Sequence, residues 1–247
     1  EDGEAILITA EAGELWDDLV QYTVKNGWWG LENLSHIPGT VGATPVQNVG
    51  AYGVEVKDVI HSVRVYNMQT HAYETLDIAA CSFGYRDSVF KHTAGEHYVV
   101  TAVTFALHTT PRPQLTYRDL QKYFADGVLP SISDIPGAVI AIRSQKFPDW
   151  HTVGTAGSFF KNPIIPNEQY ESLIQIYPDL PGFVVSNDQV KISLGWVLDK
   201  LLHVRGYTEG TVGTYVGQAL VLVADEGATA DDVEQFAHNI IAKVKNK

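Results

Sequence analysis

The sequence predicts an α+β fold built from two regions. Helix-like and strand-like segments mix along the chain without strict βαβ alternation, which argues against a doubly wound parallel sheet. Hydrophobic residues are 45% of the 247 and charged residues 19%, enough apolar material for a sizeable core. A Pro-containing junction near Phe147-Pro148 separates a first region, 1–147, from a second, 148–247.

The elements follow in order. Ala5 to Ala10 reads as a strand. Glu14 to Asn26 places Leu15, Leu19, Val20, Thr23 and Val24 on one helical face, with Gly27 as a C-terminal stop. A glycine-rich loop comes next. Val59, His61, Val63 and Val65 alternate with Ile60, Ser62, Arg64 and Tyr66, the period of a strand. Tyr98 to His108, YVVTAVTFALH, reads as a second long strand because Val, Thr and Phe dominate it. Thr109 to Pro113 is a break, followed by helical patterns over Tyr117 to Ala125 and Ile135 to Gln145. In the second region Glu168 to Tyr177 and Ser193 to Leu202 read as helices, and Ala219 to Ala224 as a buried strand. The clearest helix is Thr229 to Lys245. Thr229 and Asp232 form a capping signature, and Val233, Phe236, Ala237, Ile240, Ile241 and Val244 recur at helical spacing.

Bulk properties exclude several functions. Lys and Arg total 17 against 29 Asp and Glu, a formal net charge of −12. That balance disfavours nucleic acid and anionic membrane as partners. No window approaches eighteen uninterrupted apolar residues, so no spanning segment is expected. The single Cys81 excludes an internal disulfide, and a reducing, cytoplasmic setting is expected. The nine histidines form no ligand cluster, so no metal site is expected. The only methionine is Met68 and the ends fall beside structured segments, so both ends are expected to be internal to a longer polypeptide.

Three stretches concentrate chemistry. From Asn33 to Val54 there is no Asp, Glu, Lys or Arg, and His36 to Gly53 holds four glycines and two prolines. Glycine admits a ligand close to the backbone, and rows of N–H groups can hold an anion without side-chain charge. A ligand loop and a merely tight connection are both compatible with this composition. The second stretch, Phe83 to Lys91, carries Arg86 between aromatics. A guanidinium there suits a carboxylate or a developing oxyanion. Pairing of Arg86 with Asp87 at the surface is the plainer alternative. The third, Gly154 to Pro163, sets Ser158 between a glycine and two phenylalanines. A positioned serine can donate a proton, and Lys161 and Asn162 can hold phosphate or polarise its hydroxyl. A turn serine before a buried Phe pair is the alternative. Arg143, Lys146, Tyr117 and Gln218 are further candidates, each with an ordinary structural reading as helix end, core aromatic or strand start.

Together GLENLSHIPGTVGATPVQNVGAYG (Gly30–Gly53), FGYRDSVFK (Phe83–Lys91), AGSFFKNP (Ala156–Pro163) and GQALVLVA (Gly217–Ala224) resemble the UDP-N-acetylenolpyruvoylglucosamine reductases of peptidoglycan synthesis. YRDS and the tyrosine of LTYRDL make the likeness one to the type I subgroup. The resemblance implies the second half of a vanillyl-alcohol-oxidase-like FAD-binding domain, followed by an α+β substrate-binding domain. It implies that NADPH reduces FAD, which passes hydride to UDP-N-acetylglucosamine enolpyruvate to give UDP-N-acetylmuramate, a step of cell-wall building tied to cell shape and division. Gly39, Thr40, Gly42, Ala43, Thr44, Gln47 and Gly50 would lie near FAD. Ser158 would protonate the carbanion-like enol, and Arg86 would stabilise charge on the substrate carboxylate side. Tyr85, Tyr117, Arg143, Lys146, Lys161, Asn162 and Gln218 would bind substrate.

The sequence departs from the family pattern in three places. A first FAD subdomain with a glycine-rich pyrophosphate loop and a C-terminal glutamate segment are not in it, and Tyr215 stands where relatives often have histidine. Weak flavin binding and little turnover are therefore expected of this chain, with the parent active and a monomer favoured. A non-catalytic UDP-sugar-binding module is the alternative, and another flavin oxidoreductase on a related scaffold a third.

Overall fold

A computed structural model describes residues 5–125, 127 and 129–247. The chain divides into two compact units, one ending at Ile142 and the other running from Arg143 to Lys247.

The first unit is built on four antiparallel strands in the order β1-β6-β4-β5. These are β1 (Ala5–Glu11), β4 (Ile60–Asn67), β5 (Ala72–Asp77) and β6 (Tyr98–His108). Helix α1 (Trp16–Lys25) buries Trp16, Leu19, Val20, Thr23 and Val24 against the sheet. Trp16 meets Phe105 of β6 with ring centroids 5.9 Å apart, and its indole N–H donates to the Leu34 carbonyl at 2.9 Å. The expected face holds except at its first member. Leu15 lies before the helix with extended backbone and is exposed, and Trp16 takes the buried place.

His61 was expected to share a face with Val63 and Val65. The β4–β6 pairing shifts register between Ile60 and Ser62, which sends His61 outward and leaves Ile60 buried. Two short strands, β2 (Gly50–Ala51) and β3 (Val54–Glu55), form a hairpin inside the glycine-rich loop. Helix α2 (Ile78–Cys81) is capped by Asp77, and α3 (Arg118–Tyr123) and α4 (Asp134–Lys146) close the unit, with the division falling inside α4. The core of this unit includes Leu120, Ile135, Ala138 and Val139 from those two helices.

The second unit holds two antiparallel sheets. One has the order β8-β10-β9, from Ile164–Pro166, Gln189–Ile192 and Gly182–Ser186, and the other β11-β12-β13-β7. The latter strands are β7 (Gly154–Ser158), β11 (Thr208–Glu209), β12 (Val212–Tyr215) and β13 (Gln218–Ala224). Helix α5 (Asn167–Ile176) follows β8, and α6 (Leu194–Trp196) continues into a π-helical turn at Val197–Leu201. Helix α7 (Ala230–Lys245) has the expected reciprocal cap between Thr229 and Asp232 and buries Phe236, Ala237 and Ile240. Val233 and Val244 lean on that core, while Ile241 stays largely exposed at the edge of the stripe.

Candidate functional site

The candidates fall into two groups, one in each unit. In the first unit they gather around the glycine-rich loop. Its base is fixed to β1 and α1: the Gly42 N–H donates to Ala12 O at 2.9 Å, the Val41 N–H to Glu14 O at 2.9 Å, and the Trp16 N–H to Gly39 O at 3.0 Å. Gly42 is needed because a Cβ there would lie 2.6 Å from Ala12 Cβ. Gly39 is needed for its φ of 122°, and beside it is open space.

Gly39, Ala43 and Gln47 are exposed and Thr40 and Gly42 half-buried, so the loop shows the outside an uncharged ridge. Thr44 does not share in that surface: it is buried and its hydroxyl donates to Val41 O at 2.8 Å. The amides of Val41, Gly42, Ala43, Thr44, Asn48 and Val49 all donate to carbonyls within the protein. These six amides therefore form no row of free N–H groups, and what the stretch turns outward is its surface atoms.

Gly50 forms a seat for Arg86. The Arg86 guanidinium donates from Nη2 to Gly50 O and from Nη1 to Asn48 O at 3.5 Å, and Nη1 lies 3.9 Å from Glu55 Oε1. A Cβ on Gly50 would come within 2.8 Å of Arg86 Nη1. Arg86 thus turns to the loop, while the neighbouring Asp87 takes the His92 imidazole at 2.9 Å. The segment is sewn down by Ser88, whose hydroxyl donates to Val46 O at 2.6 Å, and by Lys91, whose ammonium donates to Arg86 O at 3.1 Å. Tyr85 lies beneath the guanidinium, 5.4 Å from it to the ring centroid. On the other side of the hairpin Tyr117 meets Tyr52 edge-on at 5.2 Å. Gly53 makes room for that approach, since a Cβ there would lie 2.8 Å from Thr116 Oγ1. Asn33 holds the arrangement, its Nδ2 donating to Tyr52 O at 2.9 Å and Gln114 O at 2.8 Å.

In the second unit β13 is the common element. Gln218 opens it and faces Gly195 of α6, where a Cβ would lie 3.5 Å from Gln218 Oε1. Ser158 ends β7, pairs with Val221 and is exposed. It is therefore a strand residue and not a turn serine, and the Phe pair after it is divided, Phe159 exposed and Phe160 packed on the core. Gly157 before it has a φ of 64°, and the Gly157 N–H donates to Thr155 Oγ1 at 3.1 Å.

Asn162 Oδ1 accepts the Leu194 N–H at 3.0 Å, which ties the segment after Ser158 to the start of α6. Arg143 and Lys146 lie in the last turn of α4, Arg143 stacked over Phe147 at 4.6 Å. Gln145 of that turn touches the β13 end, its carbonyl 2.5 Å from where a Gly217 Cβ would be. Lys161 lines a mainly apolar cavity of about 260 Å³ with Phe160, Leu194, Leu198, Ile240 and Val244.

Three residues escaped the sequence reading. Asn48 and Glu55 contact Arg86, and Glu32 is a buried carboxylate accepting the Gly30 N–H at 2.6 Å. Burial pushes the Glu32 carboxyl above its ordinary range, against the pull of the backbone N–H groups it accepts. A signal for Asn48 was available in its residue type, because asparagine is enriched among non-glycine residues at positive φ, and Asn48 has a φ of 44°. Among the described residues no group of three or more His, Cys, Asp or Glu could hold a metal, and no helix is long and apolar enough to cross a membrane.

A family model described as an FAD binding domain matches residues 1–75, and one described as the UDP-N-acetylenolpyruvoylglucosamine reductase C-terminal domain matches residues 148–247. The chain is 46% identical over 238 residues to the UDP-N-acetylenolpyruvoylglucosamine reductase of Neisseria meningitidis serogroup A, covering 95% of the chain and 68% of that relative. It is 46% identical over 250 residues to that of Chromobacterium violaceum, covering 100% of the chain and 73% of the relative. A crystal structure of the Thermus caldophilus reductase matches with a TM-score of 0.65 at 23% identity, over 97% of this chain and 68% of that one, a likeness of fold.

Proposed function

Because the chain belongs to the UDP-N-acetylenolpyruvoylglucosamine reductase family, we propose that it serves the reduction of UDP-N-acetylglucosamine enolpyruvate to UDP-N-acetylmuramate in peptidoglycan synthesis, in the cytoplasm. The observation that carries this reading is the seat at Gly50, where Arg86 meets the uncharged loop. The residues present fit a flavin dinucleotide in one respect: a ridge of Gly39, Thr40, Ala43 and Gln47 carries no charge and, at Gly39, has nothing within 4 Å of a Cβ position. FAD held along it, reduced by NADPH, would supply the hydride.

The chain's own residues then have distinct tasks. Hydride addition to an enol ether conjugated to a carboxylate leaves negative charge on the carboxylate and the α-carbon. Arg86 holds that charge from the carboxylate side with a planar, permanently cationic group. The Ser158 hydroxyl, exposed at a strand end, gives its proton to the α-carbon. Tyr85, under the guanidinium, and Tyr117, edge-on to Tyr52 of the hairpin, offer the substrate apolar walls with polar tips. In the second unit Arg143, Lys146, Lys161, Asn162 and Gln218 supply side-chain donors to the substrate, several of them for its diphosphate. Asn162 keeps its Nδ2 for this, since its Oδ1 accepts the Leu194 N–H. The committed amides of Val41 to Thr44 leave the flavin pyrophosphate few donors, so this chain holds FAD weakly and turns over slowly.

The test is NADPH oxidation by the chain under excess FAD, with and without UDP-N-acetylglucosamine enolpyruvate. Consumption that requires both flavin and the enolpyruvyl sugar supports a reductase. Saturable sugar binding with no consumption at any flavin concentration supports a UDP-sugar-binding module instead.

A further inference from the structure

Asn48 is buried completely, has a φ of 44°, and bonds in several directions at once. Its Nδ2 donates to Gly84 O at 2.9 Å and to Glu55 Oε2 at 3.0 Å. Its Oδ1 accepts the Lys57 N–H at 3.1 Å, and its carbonyl accepts Arg86 Nη1 at 3.5 Å. Gly84 lies two residues before Arg86, and Glu55 is the carboxylate nearest the guanidinium in that cluster, so one side chain fixes both the backbone leading to Arg86 and the acid beside it. Arg86 itself has a φ of 55°, a conformation that a non-glycine residue keeps only where its surroundings hold it. Glu55 also takes the Lys57 ammonium at 3.0 Å. One carboxylate standing between two cations does not cancel the guanidinium charge, which stays available to an anion.

Resting on the reading that Arg86 faces the substrate carboxylate, we propose that Asn48 is the positioning residue for Arg86, setting the direction of the guanidinium through Gly84 and Glu55. The consequence is a specific one. Losing the Asn48 amide loosens recognition of the carboxylate and leaves recognition of the nucleotide sugar unchanged.

The experiment titrates the chain with UDP-N-acetylglucosamine enolpyruvate and with UDP-N-acetylglucosamine, which lacks the carboxylate, and records the ratio of affinities. In parallel, 15N spectra of the six arginine side chains report rotation of the Arg86 guanidinium, assigned with Arg86→Lys. Asn48→Gly removes the amide but keeps the positive φ without steric cost. Asn48→Asp keeps size and turns the donor into an acceptor facing Glu55, and serves should the glycine variant fold poorly.

Arg86→Ala should erase the preference for the enolpyruvyl ligand. Either Asn48 variant should cut it about tenfold, the worth of one charge-assisted hydrogen bond, with UDP-N-acetylglucosamine affinity within about twofold of wild type and Arg86 rotation fast. Full preference and slow rotation in both Asn48 variants, with preference lost in Arg86→Ala, would overturn the positioning role alone. An equal fall for both ligands would overturn it too, as the mark of a merely structural residue. Preference retained in Arg86→Ala, or no binding of either ligand, would remove the reading of Arg86 and this inference with it.

Discussion

Gly42→Ala should be among the most damaging small substitutions in the first unit. The added Cβ would sit 2.6 Å from Ala12 Cβ and 3.1 Å from both Ala12 Cα and Ala12 O, where carbon contacts normally begin near about 3.5 Å. Backbone must move by the better part of an ångström, and neither side is loose. Gly42 N–H is bonded to Ala12 O at 2.9 Å, Val41 N–H to Glu14 O at 2.9 Å, and Ala12 N–H to Thr101 O at 2.8 Å. Parting the chains sacrifices the Gly42 hydrogen bond, about 1 kcal/mol net. Overpacking of the remainder adds about 1–3 kcal/mol. The expected loss is about 2–4 kcal/mol. Urea unfolding followed by tryptophan fluorescence, in a unit that holds Trp16, Trp28 and Trp29, should show the midpoint fall by about 1–2 M. The loop should also lose what flavin affinity it has, since its base no longer registers on β1. A midpoint within about 0.2 M of wild type would refute the steric reasoning.

Glu32→Gln should raise stability, increasingly so as pH rises. Burial lifts the folded-state pKa of Glu32 above its ordinary value, so the folded chain binds that proton more tightly than the unfolded one. The stability this gives is complete below the ordinary carboxylate pKa and is lost as pH rises through the raised value. Glutamine still accepts the Gly30 N–H and carries no charge, so the two proteins should match near pH 4 and diverge toward pH 8; a pH-independent difference in melting would contradict this. Leu198→Ala, at a fully buried position of the π-helical turn, should cost about 2–5 kcal/mol and lower hydrogen-exchange protection of β13 and α7 while β6 keeps its own. Ser158→Ala, at an exposed strand end, should leave folding and sugar affinity unchanged and reduce turnover at least about 100-fold. Unchanged turnover would remove Ser158 from the chemistry.

The fold was legible where periodicity was strong. α7 announced itself through its cap and stripe, and β6 through its run of Val, Thr and Phe. The short strands β8 to β12 were not legible, because five residues or fewer on a partly exposed sheet leave no period to count, and β5 is too polar to stand out. His61 was misplaced because a bulge resets alternation without any mark in composition. Candidate site residues were legible by type and motif, but not by partner. Arg86 beside Asp87 invited a local ion pair, whereas the structure sends it across the fold to Gly50 and Glu55. Thr44 looked like the loop's other hydroxyl, yet a bond to Val41 O turns it inward. Partners distant in sequence, such as Asn33 with Gln114, arise only when the sheet has brought their segments together.

The most direct measurement concerns the uncharged ridge. FAD fluorescence quenching should be titrated against the wild-type chain and against Ala43→Glu, which places a carboxylate on an exposed position without disturbing a packed atom. Saturable but weak quenching by the wild type, weakened at least about tenfold by the added charge, is the predicted outcome. Equal quenching by both proteins, or none by either, would mean that the flavin does not lie along residues 39–47.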